Sequence, residues 1–243
     1  MDRWGVVVGC DKEQEWMLPW WWEHYSAHNK YPVAFADFGM SEEALAWCRE
    51  RGECLVLPAH ARSERVEQSK REVWESCYGT WIWKCRGAWF KKPLALLSSP
   101  FSRGLWIDLD CQINGSVDPI FHALTDDAEI GLAREPYLLQ SYEEVKGILL
   151  PEEVSYNAGV VLFKQGARIL QEWAKEAIER GGEYPTDQHA LSRVIYLSQP
   201  ALIELPQVYN WLRIFGPNSE ALIYHFTGGK GKAEIKALAL KSL

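Results

Sequence analysis

The sequence predicts an α/β fold with a mainly parallel central sheet covered by helices on both faces. Short runs rich in β-branched residues alternate with segments of helical period, which is the pattern of strand–helix–strand units. Several of the runs are apolar throughout, as expected of strands buried on both faces. Acidic residues stand where a number of these runs end. Sheets of this kind bind ligands at the carboxyl ends of their strands, so a site is expected at that edge.

In the first half of the chain, predicted strands alternate with capped helices. Residues 4–9 contain three valines and predict the first strand. The next helix covers 14–28, and its regular part begins at Pro19 because proline is favoured at the first helical position. Ser41 is a good N-cap for a helix that ends at Gly52. The other elements expected here are strands at 32–36, 54–57 and 105–107, and helices at 63–78, 81–90 and directly after Pro93.

The second half continues the alternation. Asp118 and Pro119 cap a short helix, and Thr186 caps a longer one that begins at Asp187. Residues 137–153 have no clear period and are expected to form a substrate loop. The remaining elements are strands at 129–133, 157–164, 201–205 (an edge) and 221–226, a helix at 166–180, a glycine- and lysine-rich loop at 227–232, and a terminal helix at 233–243. No linker or repeat interrupts the pattern, so a single domain is predicted.

Composition restricts the class of partner. The 243 residues carry a formal net charge of −7, which argues against nucleic acid or an acidic membrane surface as the main partner. Six cysteines lack a CxxC pair or zinc spacing, as is typical of reduced, mostly buried thiols in a cytoplasmic protein. The N-terminal apolar run is too short for a signal peptide, and no segment is long enough to span a membrane. We therefore expect a cytoplasmic protein, with peripheral membrane contact left open.

The strongest candidate site follows the apolar run 105–107. Asp108 and Asp110 stand two residues apart where the strand ends, and side chains at i and i+2 of an extended segment point the same way. Two converging carboxylates suit a hard divalent cation. The alternative is a polar turn after a buried strand, because a chance Asp-x-Asp pair is common.

A second candidate group lies near the C-terminus. His225 ends an apolar segment and would complete a metal site with the two aspartates, and a mixed carboxylate and imidazole set suits Mn²⁺ better than Ca²⁺. Gly228, Lys230 and Lys232 follow in a glycine-rich turn whose backbone N–H groups and lysines would bind a phosphate. A satisfied core histidine and a flexible basic loop are the alternatives.

Two basic pairs precede the central strand. Lys91 or Lys92 would reach a pyrophosphate, since both lie directly before the helix that leads into that strand. Lys84 and Arg86 are expected to lie on a solvated helix face.

Two short polar motifs complete the set. Asn157-Ala158-Gly159 begins a predicted strand. The alternative to a functional role is a turn in which the small residues allow close packing. Asp187-Gln188 opens a helix, where an acid also complements the helix dipole. Neither motif is specific alone, and their combination with the aspartates and His225 carries the functional argument.

In this combination the sequence resembles the GT-A glycosyltransferases and is most similar to glycosyltransferase family 8, the group of glycogenin and the bacterial lipopolysaccharide galactosyl- and glucosyltransferases. The matching pieces follow the family's order over nearly the whole chain: Asp11, Asp37-x-Gly39-x-Ser41, the lysines before Pro93, Trp106-Ile107-Asp108-Leu109-Asp110, Asn157-Ala158-Gly159-Val160, Asp187-Gln188 and His225-Phe226-x-Gly228. The resemblance implies one GT-A domain over 1–243. Its nucleotide-binding, Rossmann-like half covers 1–115, and its sugar- and acceptor-binding half covers 116–243.

The resemblance further implies a metal-dependent, retaining transfer of a hexose from UDP-glucose or UDP-galactose. The acceptor, a glycan, a lipid-linked glycan, a protein or a small molecule, is not identified by the sequence. Residues expected to hold Mn²⁺, or Mg²⁺, on the diphosphate are Asp108, Asp110 and His225. Residues expected near the nucleotide are Cys10 and Asp11 at the uracil, and Lys91 or Lys92, Gly228, and Lys230 or Lys232 at the phosphates. Residues expected at the sugar and the reacting face are Asn157, Asp187 and Gln188.

Two departures from the family pattern concern the nucleotide. The family's last lysine falls on Gly231, with a lysine on either side, and its Asn-Tyr after the first strand is replaced by Glu13, Gln14 and Glu15. One alternative function is therefore a nucleotide-sugar-binding module without transfer activity. A sugar-phosphate nucleotidyltransferase is disfavoured, because it would need a glycine-rich phosphate loop directly after the first strand.

Overall fold

A computed structural model of the protein describes residues 3–58 and 65–239. Within these ranges the strands are β1 (Trp4–Cys10), β2 (Val33–Asp37), β3 (Glu53–Val56), β4 (Arg103–Ile107), β5 (Cys111–Ile113), β6 (Ile130–Arg134), β7 (Tyr156–Lys164), β8 (Leu202–Glu204), β9 (Trp211–Leu212) and β10 (Ile223–His225). The α-helices are α1 (Leu18–His28), α2 (Glu42–Arg49), α3 (Gln68–Tyr78), α4 (Ile82–Trp89), α5 (Lys92–Leu97), α6 (Asp118–Ala123), α7 (Tyr137–Val145), α8 (Arg168–Glu179), α9 (Asp187–Ser198) and α10 (Gly228–Ala239).

Seven strands form the central sheet in the order β3-β2-β1-β4-β7-β6-β8. The pairs are parallel except β4–β7 and β6–β7, which confirms the mainly parallel sheet, and β8 lies at its edge as predicted. A second sheet, β5-β10-β9, was not predicted. Its strands β5 and β9 have three and two residues, too few to show a period in the sequence.

The antiparallel strand β7 is what assembles the functional edge of the sheet. Because β7 runs against β4, its first residues lie beside the carboxyl end of β4. Ile107 pairs with Val160, and the backbone N–H of Asp108 donates to the carbonyl of Gly159 at 2.7 Å. The motif that enters β7 is therefore held next to the aspartates that follow β4.

Hydrophobic residues bury both faces of the sheet, as the continuous apolar runs indicate. In β1, Val6 and Val8 pack into one core cluster with Trp21 of α1. Val7, between them, packs into the other with Trp106. All three valines are fully inaccessible to solvent, and burying each contributes roughly 1.5–3 kcal/mol of apolar transfer free energy.

Most predicted helix boundaries agree with the structure. α1 has a proline in its first turn, as expected from Pro19. Ser41 caps α2, its hydroxyl accepting from the backbone N–H of Ala44 at 3.2 Å. α3 begins at Gln68, and the part of that predicted helix at 63–64 lies outside the described residues, as do residues 240–243 of the predicted terminal helix.

Two predicted loops are helical in part, although residues 146–153 of the first contain no helix or strand. Residues 137–145 form α7, whose one buried side chain is the acidic Glu143, while Leu138 and Val145 are 71% and 85% exposed. In a typical surface helix the apolar side chains face the core and the charged ones face solvent, and here the positions are reversed. The sequence therefore lacks the apolar spacing that identifies a core-facing helix. The expected loop at 227–232 lies largely in the first turns of α10, which begins at Gly228.

The prediction that Arg86 lies on a solvated face is also wrong. Its side chain is 3% exposed and donates to the carbonyls of Pro185, Gly181 and Tyr184 at 2.9, 2.6 and 2.6 Å. These bonds hold the segment that leads into α9. Lys84 on the same helix is exposed, as expected.

The six cysteines are free thiols, as predicted, and half of them are buried. Among the described residues, no helix has both the length and the apolar character needed to cross a membrane.

Candidate active site

A cavity of about 500 Å³ opens at the edge of the sheet where β1 and β4 end. Most of the side chains predicted to act line it: Cys10, Lys92, Asp108, Asp110, Asp187, Gln188, His225, Gly228, Lys230 and Lys232. Asp11, Lys91 and Asn157 are not among the lining residues. Residues separated by more than two hundred positions thus meet around one space, whose walls are formed by elements from both halves of the chain.

Asp108 and Asp110 converge, although not for the reason expected from an extended strand. They lie in a turn closed by a hydrogen bond from the N–H of Cys111 to the carbonyl of Asp108 at 3.0 Å. After the turn, β5 pairs with β10 so that Cys111 lies opposite His225. As a result, His225 Nε2 lies 3.4 Å from Asp110 Oδ1 and 3.8 Å from Asp108 Oδ2.

The chemistry of this group fits a divalent cation. His225 Nδ1 has its own partner, Asn210 Oδ1 at 3.0 Å, which leaves Nε2 directed at the two carboxylates. Metal-binding histidines typically have such a partner on the second ring nitrogen. Cys111 Sγ lies within 4.8 Å of a potential ligand atom of Asp110 and of His225. Burial and the charges of Asp110 and Asp108 raise the pKa of the Cys111 thiol well above its usual range, which favours the protonated thiol in the metal-free protein.

Fixed positive charge balances the carboxylates on two sides. Burial alone would raise the pKa of Asp110, but the Lys232 ammonium, 3.0 Å away, and His225 hold it below its ordinary value. Burial likewise disfavours the charged form of His225, yet the hydrogen bond and charge of Asp110 raise its pKa above the usual value. Asp110 and His225 therefore each stabilise the charged form of the other.

Lys92, not Lys91, enters the site. Its Nζ lies 3.0 Å from Asp108 Oδ1 and 3.2 Å from Asp187 Oδ2, and it donates to the carbonyl of Ala158 at 3.0 Å. Burial lowers the pKa of Lys92, but the two carboxylates outweigh that effect and raise it. Lys91 turns away and donates to the carbonyl of Phe38 at 2.6 Å.

The amino end of α10 forms the opposite wall. Thr227, Gly228 and Gly229 line the cavity there, so the positive end of a twelve-residue helix faces the space beside Asp110. A Cβ on Gly231 would lie 2.3 Å from the backbone carbonyl of Phe226. No side chain fits at that position, and the lysine on its C-terminal side, Lys232, reaches Asp110.

The carboxyl end of β1 supplies a mostly apolar corner. Cys10 is buried and lines the cavity with Gly9 and Gln14, and burial raises the pKa of its thiol above the ordinary range. The Asp11 carboxylate accepts from the N–H of Glu13 at 3.1 Å. It therefore caps its own turn.

Sequence reasoning missed a buried carboxylate, Glu135, that follows β6. Its Oε1 accepts from Gln188 Nε2 at 2.9 Å and from Asn157 Nδ2 at 2.7 Å. Its Oε2 has no hydrogen-bond partner within the described parts of the chain, and the residue lines the cavity. A single Glu beside a strand end carries no periodic or spacing signal, so only the folded arrangement reveals it.

A second missed cluster lies around α9. The Thr186 hydroxyl lies 2.7 Å from His189 Nδ1 and makes no capping bond, so the predicted N-cap position is right but its side chain has another partner. His189 Nε2 lies 3.1 Å from Glu143 Oε1, which also accepts from the Tyr78 hydroxyl at 2.9 Å. These bonds tie α9 to α7 and α3. Aromatic side chains complete this side of the cavity: Tyr78, Trp81, Trp89 and Tyr142.

Comparison with solved structures establishes that the chain has the GT-A fold, as expected from the sequence. The galactosyltransferase LgtC, in complex with donor and acceptor sugar analogues, matches with a TM-score of 0.64 at 14% identity, over 98% of this chain and 95% of LgtC. Mouse xyloside xylosyltransferase 1 matches with a TM-score of 0.53 at 15% identity, over 92% of this chain and 97% of its own.

The glycosyltransferase GlyE of Streptococcus pneumoniae TIGR4 matches with a TM-score of 0.56 at 14% identity, over 99% of this chain and 65% of that protein. No protein-family model matches the sequence. No curated protein sequence matches it either.

Proposed function

We propose that the protein is a metal-dependent glycosyltransferase that moves a hexose from a UDP-sugar, UDP-glucose or UDP-galactose, to a glycan acceptor. The observation that carries the proposal is the meeting of Asp108, Asp110 and His225 beside the positive end of α10, in a cavity on a GT-A fold. A cation site next to a helix N-terminus and a lysine suits a diphosphate, because each of the three attracts negative charge.

In this proposal, Asp108, Asp110 and His225 would hold Mn²⁺, or Mg²⁺, next to the diphosphate. When bound, the ion supplies Lewis-acid stabilisation of the leaving diphosphate. Lys232 and the N–H groups at the start of α10 add fixed positive charge on the other side. Lys230, exposed at the mouth of the cavity, attracts the donor as it enters. Cys10 and its neighbours form the corner that takes the base.

The transfer step breaks the bond between the anomeric carbon and the phosphate oxygen, and the bonding electrons leave with the nucleoside diphosphate. The acceptor hydroxyl oxygen bonds to that carbon, and its proton passes to the released diphosphate. The anomeric carbon becomes cation-like. Asp187, which lines the cavity, is the carboxylate proposed to stabilise that charge. Lys92 forms ion pairs with both Asp187 and Asp108. It therefore fixes the position of Asp187 relative to the proposed metal ligands. Retention of configuration is part of the proposal by resemblance.

Two features support a sugar rather than another group beyond the diphosphate. The unpartnered Oε2 of Glu135 is a buried acceptor that a hydroxyl would satisfy, and leaving such an atom unpaired costs roughly 1–3 kcal/mol. Tyr78, Trp81, Trp89 and Tyr142 offer aromatic faces on the same side, which pack against the apolar faces of sugar rings. These residues form the proposed acceptor wall.

A thermal-shift screen of nucleotide sugars, with and without Mn²⁺, tests the proposal. UDP-glucose or UDP-galactose should raise the melting temperature only when Mn²⁺ is present, and ADP- and GDP-sugars should have smaller effects. Stabilisation by nucleotide sugars without any dependence on a divalent cation would contradict the metal site. Binding without donor hydrolysis or transfer over a panel of glycan acceptors would instead indicate a binding module.

A further inference from the structure

A chain of buried polar side chains runs under the cavity from His225 to Glu135. His225 Nδ1 lies 3.0 Å from Asn210 Oδ1, Asn210 Nδ2 donates to Asn157 Oδ1 at 2.7 Å, and Asn157 Nδ2 donates to Glu135 Oε1 at 2.7 Å. Each of the four residues is only 4–5% exposed. Because these groups have almost no access to water, each bond must be made within the protein.

Glu135 and the backbone of Gly159 determine which group donates and which accepts in every hydrogen bond of this series. Glu135 Oε1 accepts from two amides, and the backbone N–H of Gly159, which cannot reverse, donates to Asn157 Oδ1 at 2.8 Å. Asn157 must therefore present its oxygen to Asn210, and Asn210 must donate its amide. The oxygen of Asn210 then faces His225, and only an N–H can satisfy it there.

The consequence concerns the histidine tautomer. A neutral imidazole carries one proton, so a proton on Nδ1 leaves a lone pair on Nε2. That lone pair faces Asp110 Oδ1 at 3.4 Å and Asp108 Oδ2 at 3.8 Å. In the metal-free protein a second proton on Nε2 would donate to Asp110, and a cation that takes the place of that proton meets the lone pair that a metal ligand requires.

We propose that Asn210 is a positioning residue that holds His225 in its metal-binding tautomer, with the direction of the bond imposed through Asn157 by Gly159 and Glu135. The inference rests on the proposed metal site. It adds two residues, Asn210 and Glu135, that no sequence motif marks. It also links the metal ligand to Gln188, because Gln188 and Asn157 donate to the same oxygen of Glu135.

Removal of the Asn210 acceptor should move the proton. In Asn210→Leu, Nδ1 has lost its partner, and a proton on Nε2 gains Asp110 as its acceptor. Nε2 is then blocked for ligation, and affinity for Mn²⁺ should fall by about 10–100-fold, the usual effect of losing such a partner. Asn210→Asp keeps an oxygen opposite Nδ1 and should keep the proton there.

The tautomer is measured without metal or substrate. Two-bond ¹H–¹⁵N NMR of histidine-labelled protein in EDTA, at a pH where the ring is neutral, distinguishes a proton on Nδ1 from one on Nε2. We expect Nδ1–H for His225 in the wild type and in Asn210→Asp, and Nε2–H in Asn210→Leu. Asn29→Leu is the matched control, because Asn29 is buried to a similar degree, at 5% exposed against 4% for Asn210, but its amide bonds to the backbone of Tyr25, Gly115 and Val117 instead of to His225 and Asn157.

Calorimetric titration of the same proteins with Mn²⁺ provides the second readout. The proposal predicts weakened binding in Asn210→Leu and unchanged binding in Asn29→Leu. It is overturned by Nε2–H in the wild type, or by an Asn210→Leu variant that keeps both Nδ1–H and wild-type affinity. If Asn210→Leu does not fold, the wild type and Asn210→Asp still decide the tautomer. A wild type that shows Nδ1–H but binds no Mn²⁺ would refute the proposed metal site and leave the tautomer assignment supported.

Discussion

Replacing Lys92 with methionine should destabilise the protein more than any other single change of a lysine in the site. The side chain is 4% exposed and its ammonium lies 3.0 Å from Asp108 and 3.2 Å from Asp187. Methionine fills similar volume but leaves Asp187, itself 3% exposed, as an uncompensated buried charge. Breaking a buried pair in this way costs about 3–5 kcal/mol, or roughly 6–20 °C in melting temperature for a chain of this length.

The neighbouring lysine is the matched control. Lys91→Met removes one hydrogen bond to the carbonyl of Phe38, so a loss of about 1–2 kcal/mol is expected. Urea unfolding in EDTA, followed by the fluorescence of the thirteen tryptophans, measures both. A Lys92→Met variant that is no less stable than Lys91→Met would refute the reasoning.

The pH dependence of the Lys92→Met loss gives a second check. Burial already raises the pKa of Asp187, and Lys92 opposes that rise. Without Lys92 the folded-state pKa rises further above its unfolded value of about 3.9, and the folded state then holds a proton that the unfolded state has released. The deficit relative to wild type should therefore be largest at neutral pH and shrink as the pH falls toward 4. A deficit that is constant between pH 7 and 4 would contradict this explanation.

Three further variants test other parts of the structure. In Gly159→Ala the new Cβ would lie 2.2 Å from His225 Cε1. We therefore expect the free energy of unfolding to fall by about 1–3 kcal/mol from overpacking, and Mn²⁺ to bind more weakly. Wild-type Mn²⁺ affinity in calorimetry would argue against the packing of β7 on His225. Arg86→Met removes three hydrogen bonds that hold the segment before α9 and should lower kcat for donor hydrolysis at least tenfold. Unchanged steady-state kinetics would show that the segment keeps its position without these bonds. Ser41→Ala removes the cap of α2 and should cost about 1 kcal/mol in urea unfolding without altering nucleotide binding.

The fold was predictable because its central strands are buried on both faces. The valines of β1 and the apolar run of β4 leave little choice of structure. The predictions failed where tertiary contacts decide. α7 turns Glu143 inward and Leu138 outward, because the acid has partners in the Tyr78 hydroxyl and the buried His189. Nothing in the local sequence announces those partners.

The site was predictable where motifs exist and not where single residues act. Asp108 and Asp110 were found by their spacing, although a turn, not an extended strand, brings them together. The choice between Lys91 and Lys92 depends on which one faces the strand edge at the start of α5. Asn210 is an isolated amide, and it is joined to Glu135, 75 positions away in the sequence, only through Asn157, so only the hydrogen-bond geometry identifies these two residues.

The central claim is that Asp108 and Asp110 hold a cation on the diphosphate of a donor sugar. The most direct measurement is UDP release from UDP-glucose and UDP-galactose at increasing Mn²⁺ concentration, in the wild type and in the double variant Asp108→Asn, Asp110→Asn. The wild type should turn over only with the divalent ion, and the folded double variant should lose at least about 100-fold, since the ion's charge stabilisation is worth several kcal/mol. Undiminished, Mn²⁺-dependent turnover in the double variant would contradict the assignment.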